Sequence, residues 1–244
     1  MHRFVRFDHR RRTLLCAGAA WVASAAVPGM PAFAQETKRP IGIIGSGRIG
    51  STIGGLWVKA GHPVLFSSRH PEELKDLVAS LGALARSGSV SDAIAFGDVN
   101  FIAVPYGALP QVGRDHADAL KGKVVLDACN AVAARDGVIA EEVERDGIGV
   151  TSQKYLPGTR LVRAFNTMSY MIFAREANRP DPKLAIPIAG DDSEAVSIAA
   201  ALVRDAGFDP VIVGKLADAR IFQRGGPGYG QPVSAAELRQ KLSL

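Results

Sequence analysis

Cysteine is nearly absent from this chain. Only Cys16 and Cys129 occur in 244 residues, which excludes a disulfide-stapled fold. Histidine is also sparse, and His62, His70 and His116 show no metal-ligand spacing, so no metal is expected. A basic surface is missing too, despite the formal net charge of +5. Five of the 29 basic residues are Arg3, Arg6, Arg10, Arg11 and Arg12, and residues 35–244 carry 24 basic against 23 acidic groups. That balance excludes a nucleic-acid-binding face over the body of the chain.

The arginine-rich start instead reads as a targeting leader over residues 1–34. An uncharged stretch from Thr13 to Ala34 follows, ending in Ala32-Phe33-Ala34, the small-residue pattern of a cleavage site. Arg11-Arg12 with Leu14-Leu15 is similar to a twin-arginine signal, so the expectation is an exported, periplasmic protein. The competing readings are an uncleaved anchor and an initiation codon placed too far upstream of a cytoplasmic protein. The stretch is alanine-rich and broken by Pro28, Gly29 and Pro31, poor material for a spanning helix, so no stable membrane insertion is expected after cleavage. Cys129 is then the one cysteine left, and with no partner histidine evident it reads as a small buried apolar residue.

Residues 35–39 are polar and expected to be loose, and residues 40–244 are expected to form one domain with a short C-terminal extension. From Pro40, apolar runs of strand length alternate with longer amphipathic stretches, which predicts an α/β fold with a doubly wound, mostly parallel sheet. Strands are predicted near 41–45, 63–67, 83–86, 99–104, 123–127, 160–165, 184–189 and 210–214. Helices are predicted near 48–60, 71–81, 91–96, 107–120, 137–146, 168–176, 192–206 and 234–242. Gly61 before Pro63 marks one helix end, and Asp191 or Asp192 offers an N-cap at another.

The strand–turn–helix "IGIIGSGRIGS" sets Gly45, Gly47 and Gly50 in the GxGxxG frame of a Rossmann nucleotide-binding turn. The first glycine permits the tight turn, the second lets backbone approach a pyrophosphate, and the third lets helix and strand pack closely. An NAD enzyme usually ends its second strand in an acid that holds the ribose hydroxyls. Here that position reads Ser67, Ser68, Arg69, which can donate to a 2′-phosphate and so favours NADP(H). The alternative is a solvated Arg69 beside a Ser68 that caps the helix begun by Pro71.

Other polar residues fall at predicted carboxyl ends of strands, where parallel sheets bind ligands. These are Val104, Pro105 and Tyr106; Asp127, Cys129 and Asn130; and Asn166 with Thr167. Tyr106, Tyr155, Tyr170 and Tyr229 all lack a lysine four residues on, so a Tyr/Lys acid–base pair is absent. The tail "RGGPGYGQP", residues 224–232, reads as either a flexible loop or a cover for the site.

Together, "IGIIGSGRIG", "AGHPVLFSSRHP", "FIAVPYGAL", "VVLDACNAV", "RAFNT", "IPIAGDD" and "VGKLADAR" resemble the NADP oxidoreductase family whose founding members reduce NADP with the deazaflavin coenzyme F-420. The cytosolic domain of the six-transmembrane metalloreductases is similar over the same first half. The resemblance implies that Ser46, Arg48 and Ile49, with Ser68 and Arg69, hold the adenosine phosphates. It implies that Ala103, Val104, Pro105 and Asn130 lie along the nicotinamide half and that Asn166 faces the acceptor.

The expected activity is hydride transfer between NADP(H) and a small-molecule redox partner: deazaflavin, flavin or a similar acceptor. Such transfer depends mainly on position and excluded water. The alternative is a non-catalytic exported NADP(H)-binding domain. Exposed apolar helix faces are compatible with a homodimer.

Overall fold

A computed structural model describes residues 38–244; the leader with its twin-arginine motif, and residues 35–37, lie outside them. Eight strands form one sheet: β1 Ile41–Ile44, β2 Val64–Ser67, β3 Ala85–Gly88, β4 Val99–Ile102, β5 Val124–Asp127, β6 Arg160–Arg163, β7 Ala185–Gly190 and β8 Asp209–Gly214. Their spatial order is β3-β2-β1-β4-β5-β6-β7-β8. The pairs from β3 through β6 are parallel, β7 runs antiparallel to β6, and β8 is parallel to β7. Order therefore reverses between β1 and β4, which opens a crevice at their carboxyl ends.

The helices are α1 Arg48–Lys59, α2 Lys75–Leu81, α3 Val90–Phe96, α4 Leu109–Asp115, α5 Ala117–Leu120, α6 Ala133–Asp136, α7 Val138–Asp146, α8 Ile148–Tyr155, α9 Tyr170–Glu176, α10 Ser193–Asp205 and α11 Ala235–Leu242. They bury two large cores and a small third of Ala185, Val211 and Leu238. One, containing Trp57, Phe101, Phe165, Phe173 and Phe208, lies on the α1 and α10 side; the other, containing Tyr106, Val143, Ile148 and Phe222, lies on the α7 and α8 side.

Each predicted strand is present within two residues of its expected bounds. The helices depart in four places. The stretch 107–120 divides into a 3-10 turn at Tyr106–Ala108, then α4 and α5, broken at His116 with φ −127°. Helix α8 and the 3-10 helix Leu216–Phe222 were not expected, and α6 adds a turn before α7. Gly61 takes φ +94° as expected, and Asp192 is the N-cap, accepting from the Ala195 amide at 2.8 Å.

Two residues of the segment expected to be loose are held in place. The Lys38 ammonium pairs with Asp205 at 2.8 Å, and the Arg39 carbonyl lies 3.0 Å from Nδ1 of buried His62, whose Nε2 meets Asp205 at 2.9 Å.

Candidate functional site

The glycine-rich turn links β1 to α1. Gly45 sits at φ +96°, and a Cβ there would lie 2.7 Å from the Ala103 carbonyl oxygen, so the turn is locked against β4. A Cβ on Gly50 would lie 2.1 Å from the Gly45 carbonyl oxygen, which explains the third glycine. Gly47 is different: a Cβ there would meet nothing within 4 Å. The second glycine faces open space, the cradle a pyrophosphate would fill.

Helix α1 has no side-chain cap on its first turn and no acid in it. Its unsatisfied amides and the positive end of its dipole therefore suit an anion. Arg48 opens the helix with its guanidinium 5.2 Å from the centre of the Tyr170 ring.

The end of β2 corrects part of the expectation. Ser67 is fully buried and donates to the Ile43 carbonyl at 2.6 Å, so its hydroxyl is committed to the sheet and is not presented to a phosphate. Ser46 likewise donates to the Ser67 carbonyl at 3.0 Å and braces the turn. Ser68 does not cap the following 3-10 helix, whose N-cap is His70. It accepts from the His70 amide at 3.1 Å, which leaves its own proton free to donate. Arg69 is exposed and makes no ion pair among the described residues. These two hold the position where the acid of an NAD site would stand.

Further along the same edge, Ile49, Ala103, Val104, Ala128, Cys129, Asn130, Val132, Arg135, Arg224 and Tyr229 line a cavity of about 250 Å³. Four expected residues are thus brought together: Ile49, Ala103, Val104 and Asn130. Pro105 lies exposed at the rim, outside this lining. A larger cavity of about 650 Å³ adjoins it, sharing Val132, Arg224 and Tyr229. The tail 224–232 is therefore a cover: Arg224 and Tyr229 wall both cavities, and the Gly230 amide donates to the Thr167 carbonyl at 3.0 Å.

Asn166 is not among the lining residues. It is 2% exposed, and its side-chain amide donates to the Phe222 carbonyl at 3.2 Å and to Asn130 Oδ1 at 3.4 Å. It supports Asn130 from behind, outside the lining of either cavity. Phe165 turns the chain to place it there, at φ +59°, a conformation a bulky residue rarely adopts. Its ring is held edge-on by Trp57, Phe101, Phe173 and Phe208 at centroid distances of 5.7–6.2 Å, which over-determines the turn.

The sequence reading named Asp127 at this edge but missed its partner Arg163 and the Arg135–Asp136 pair. Arg163 and Asp127 form a fully buried ion pair; Arg163 also donates to the Cys129 carbonyl at 2.6 Å, while Asp127 accepts from the Cys129 amide at 2.8 Å. Asp127 is thereby a clamp on the loop that carries Asn130. Burial raises the carboxyl pKa of Asp136, but hydrogen bonds from Arg135 and the amides of Val132 and Gly107 outweigh it and hold the group below its usual range. Arg135 also donates to the Asn130 carbonyl at 2.7 Å. Adjacent opposite charges after "NAV" were the available signal.

Burial pushes the Cys129 thiol well above its ordinary pKa, and burial likewise raises the Tyr106 phenol, which pairs with Ser152 at 3.0 Å. Among the described residues no group of His, Cys, Asp and Glu could hold a metal ion, and no helix is long and apolar enough to cross a membrane.

Residues 40–131 match the family described as NADP oxidoreductase, coenzyme F420-dependent. Metalloreductase STEAP3 of Rattus norvegicus is 30% identical over 187 residues, 74% of this chain and 35% of that protein. A glycerol-3-phosphate dehydrogenase [NAD(P)+] of Pseudomonas fluorescens is 25% identical over 138 residues, covering 52% of this chain and 40% of its own. The chain thus spans well under half the length of these curated relatives.

Among solved structures, the hypothetical protein SMa0349 from Sinorhizobium meliloti superposes with TM-score 0.69 at 27% identity, covering 83% of this chain and 98% of that one. A provisionally described F420-dependent NADP reductase from Arthrobacter sp. FB24 gives TM-score 0.63 at 22% identity, covering 74% and 86%. The second likeness is one of fold. Residues 40–131 thus match the model of a family of coenzyme F420-dependent NADP oxidoreductases, and they sit in a Rossmann-like sheet.

Proposed function

We propose that this protein is an NADP(H)-dependent oxidoreductase in which the nucleotide lies along the edge from Gly47 to Asn130 and a small redox partner enters beside it. The observation that carries the reading is the uncapped, acid-free start of α1 with Ser68 and Arg69 at the neighbouring strand end. Bound there, NADPH supplies a hydride, which carries two electrons to the acceptor and leaves NADP+. The chain's own residues position and shield. Gly45 and Gly50 shape the turn, Arg69 and Ser68 meet the 2′-phosphate, and the 224–232 loop excludes water over the nicotinamide half. Hydride transfer to such an acceptor depends mainly on position and on the exclusion of water.

Deazaflavin, flavin and ferric chelates are the acceptor classes to test. The leader places the mature domain in the periplasm, with the nucleotide carried along in the folded protein. Every residue named comes from one chain, so the reading holds for a monomer and for a homodimer alike.

The test is to load the full chain with NADPH without oxygen and follow dihydronicotinamide absorbance as each acceptor is added. Rapid loss with one of them supports the oxidoreductase and names its partner class. Tight binding with no loss for any acceptor favours a nucleotide-binding module instead.

A further inference from the structure

We propose that Tyr170 is a positioning residue: its ring holds the Arg48 guanidinium toward the pyrophosphate of the bound nucleotide and away from the 2′-phosphate. The inference rests on the reading that NADP(H) lies along the edge from Gly47 to Asn130. It deepens that reading by giving Arg48 and Arg69 different phosphates to meet.

Arg48 is the first residue of α1 and follows Gly47, where an added Cβ would meet no protein atom within 4 Å. Its side chain therefore starts beside the cradle. Arg48 is exposed, and among the described residues its guanidinium forms no ion pair and no hydrogen bond. What holds it is the Tyr170 ring, whose centre lies 5.2 Å from the guanidinium carbon. A guanidinium held over a ring face spends none of its five N–H donors on a protein acceptor. The charge is placed, and its donors remain for an anion. Arg135 is the contrasting case, since its donors go to Asp136 and to the Asn130 carbonyl and it serves as a brace.

The position of Tyr170 sets the direction in which Arg48 is drawn. Tyr170 opens α9, which follows β6, and β6 lies on the opposite side of β1 from β2. Ser68 and Arg69 follow β2. Arg48 is thus drawn away from the end where the 2′-phosphate is read. The ring is well anchored. Phe173, three residues on and on the same face of α9, is fully buried against Phe165 and Phe208 at centroid distances of 5.8 and 5.7 Å. Helix α9 also packs directly on α1. A cation fixed before the ligand arrives binds it without the cost of ordering a long side chain.

NADPH and NADH share the pyrophosphate and differ in the 2′-phosphate, so together they separate the two arginines. The full chain, Tyr170→Leu, Arg48→Ala and the double variant are each titrated with both nucleotides at low ionic strength, following dihydronicotinamide fluorescence. Tyr170→Leu keeps apolar bulk but has no ring face, and it is expected to weaken both nucleotides about two- to fivefold. Arg48→Ala is expected to weaken both at least about tenfold. The double variant should bind no worse than Arg48→Ala, because the ring acts only through the guanidinium. Tyr170→Phe, which keeps the face, should bind like the native chain. Losses that add in the double variant overturn the inference, as does a loss confined to NADPH or tighter binding by Tyr170→Leu. If NADPH binds the native chain and Tyr170→Leu alike, this inference fails and the nucleotide reading stands. If NADPH does not bind the native chain, the nucleotide reading fails first and takes the inference with it.

Discussion

The side-chain amide of Asn130 donates to the backbone carbonyl of Asn166 across 2.6 Å, tying the loop after β5 to the loop after β6. One loop lines the smaller cavity, and the other is bonded through Asn166 to Phe222 at the base of the cover. Asn130→Ala leaves that carbonyl and the Asn166 amide short of a partner. The expected cost is about 1–3 kcal/mol. At roughly 2–4 °C per kcal/mol for a chain of this size, a clear fall in Tm should appear in thermal melts. An unchanged Tm would show that the two loops are held by other contacts.

How legible this was depended on what each residue answers to. The strands and the nucleotide turn could be read because their cause is local: apolar runs, glycines at fixed offsets, and Asp192 at a helix start. Helix α8 could not, since "IGVTSQKY" shows no clear apolar stripe. It is helical because Gly149 lets it pack against the 3-10 helix that follows β8; a Cβ there would lie 2.0 Å from the Leu216 carbonyl oxygen. The hydroxyl of Ser67 and the amide of Asn166 illustrate the same limit within the site. Both side chains are of the right type at the right edge, and both are used by neighbours distant in sequence, Ile43 and Phe222.

Gly47 separates folding from binding. Its φ of −70° suits any residue, and an added methyl group would touch no protein atom. Gly47→Ala is therefore expected to change stability by less than about 0.5 kcal/mol, the range of a neutral surface substitution. NADPH affinity should nevertheless fall at least about tenfold, because the methyl group occupies the space of the pyrophosphate. Calorimetric titration beside a thermal melt reads both; retained affinity would move the nucleotide away from this turn.

Arg69 tests the choice between nucleotides. A hydrogen bond from a charged donor contributes about 1.5–3 kcal/mol, so Arg69→Ala should weaken NADPH roughly ten- to a hundredfold. NADH, which has no 2′-phosphate, should be little affected. Since Arg69 is exposed and unpaired among the described residues, Tm should not move. Equal weakening of both nucleotides would remove the assignment to NADP(H).

The Asp127–Arg163 pair tests the support beneath Asn130. Both side chains are fully buried, so removing one partner leaves an uncompensated charge in the core. Arg163→Met alone should cost about 3–5 kcal/mol, whereas the double change Asp127→Leu with Arg163→Met should recover much of it. Urea unfolding of the three variants completes the cycle. A double variant as unstable as the sum of the singles would mean the pair stabilises through the Cys129 backbone bonds alone.

Asp136 makes the stability of the site depend on pH, and the sign follows from its environment. Its folded-state pKa lies below the ordinary 3.8, because the bonds from Arg135, Val132 and Gly107 outweigh its burial. The unfolded chain therefore takes up the proton first as pH falls. The contribution is complete above about pH 4–5 and is lost as pH drops through 3.8 toward the lower folded value. Asp136→Asn should accordingly be less stable than the native chain at pH 7, and the gap should close below pH 4. Melts across pH 3–7 measure it, and a gap constant over that range would show that the neutral amide replaces the carboxylate without loss of these bonds.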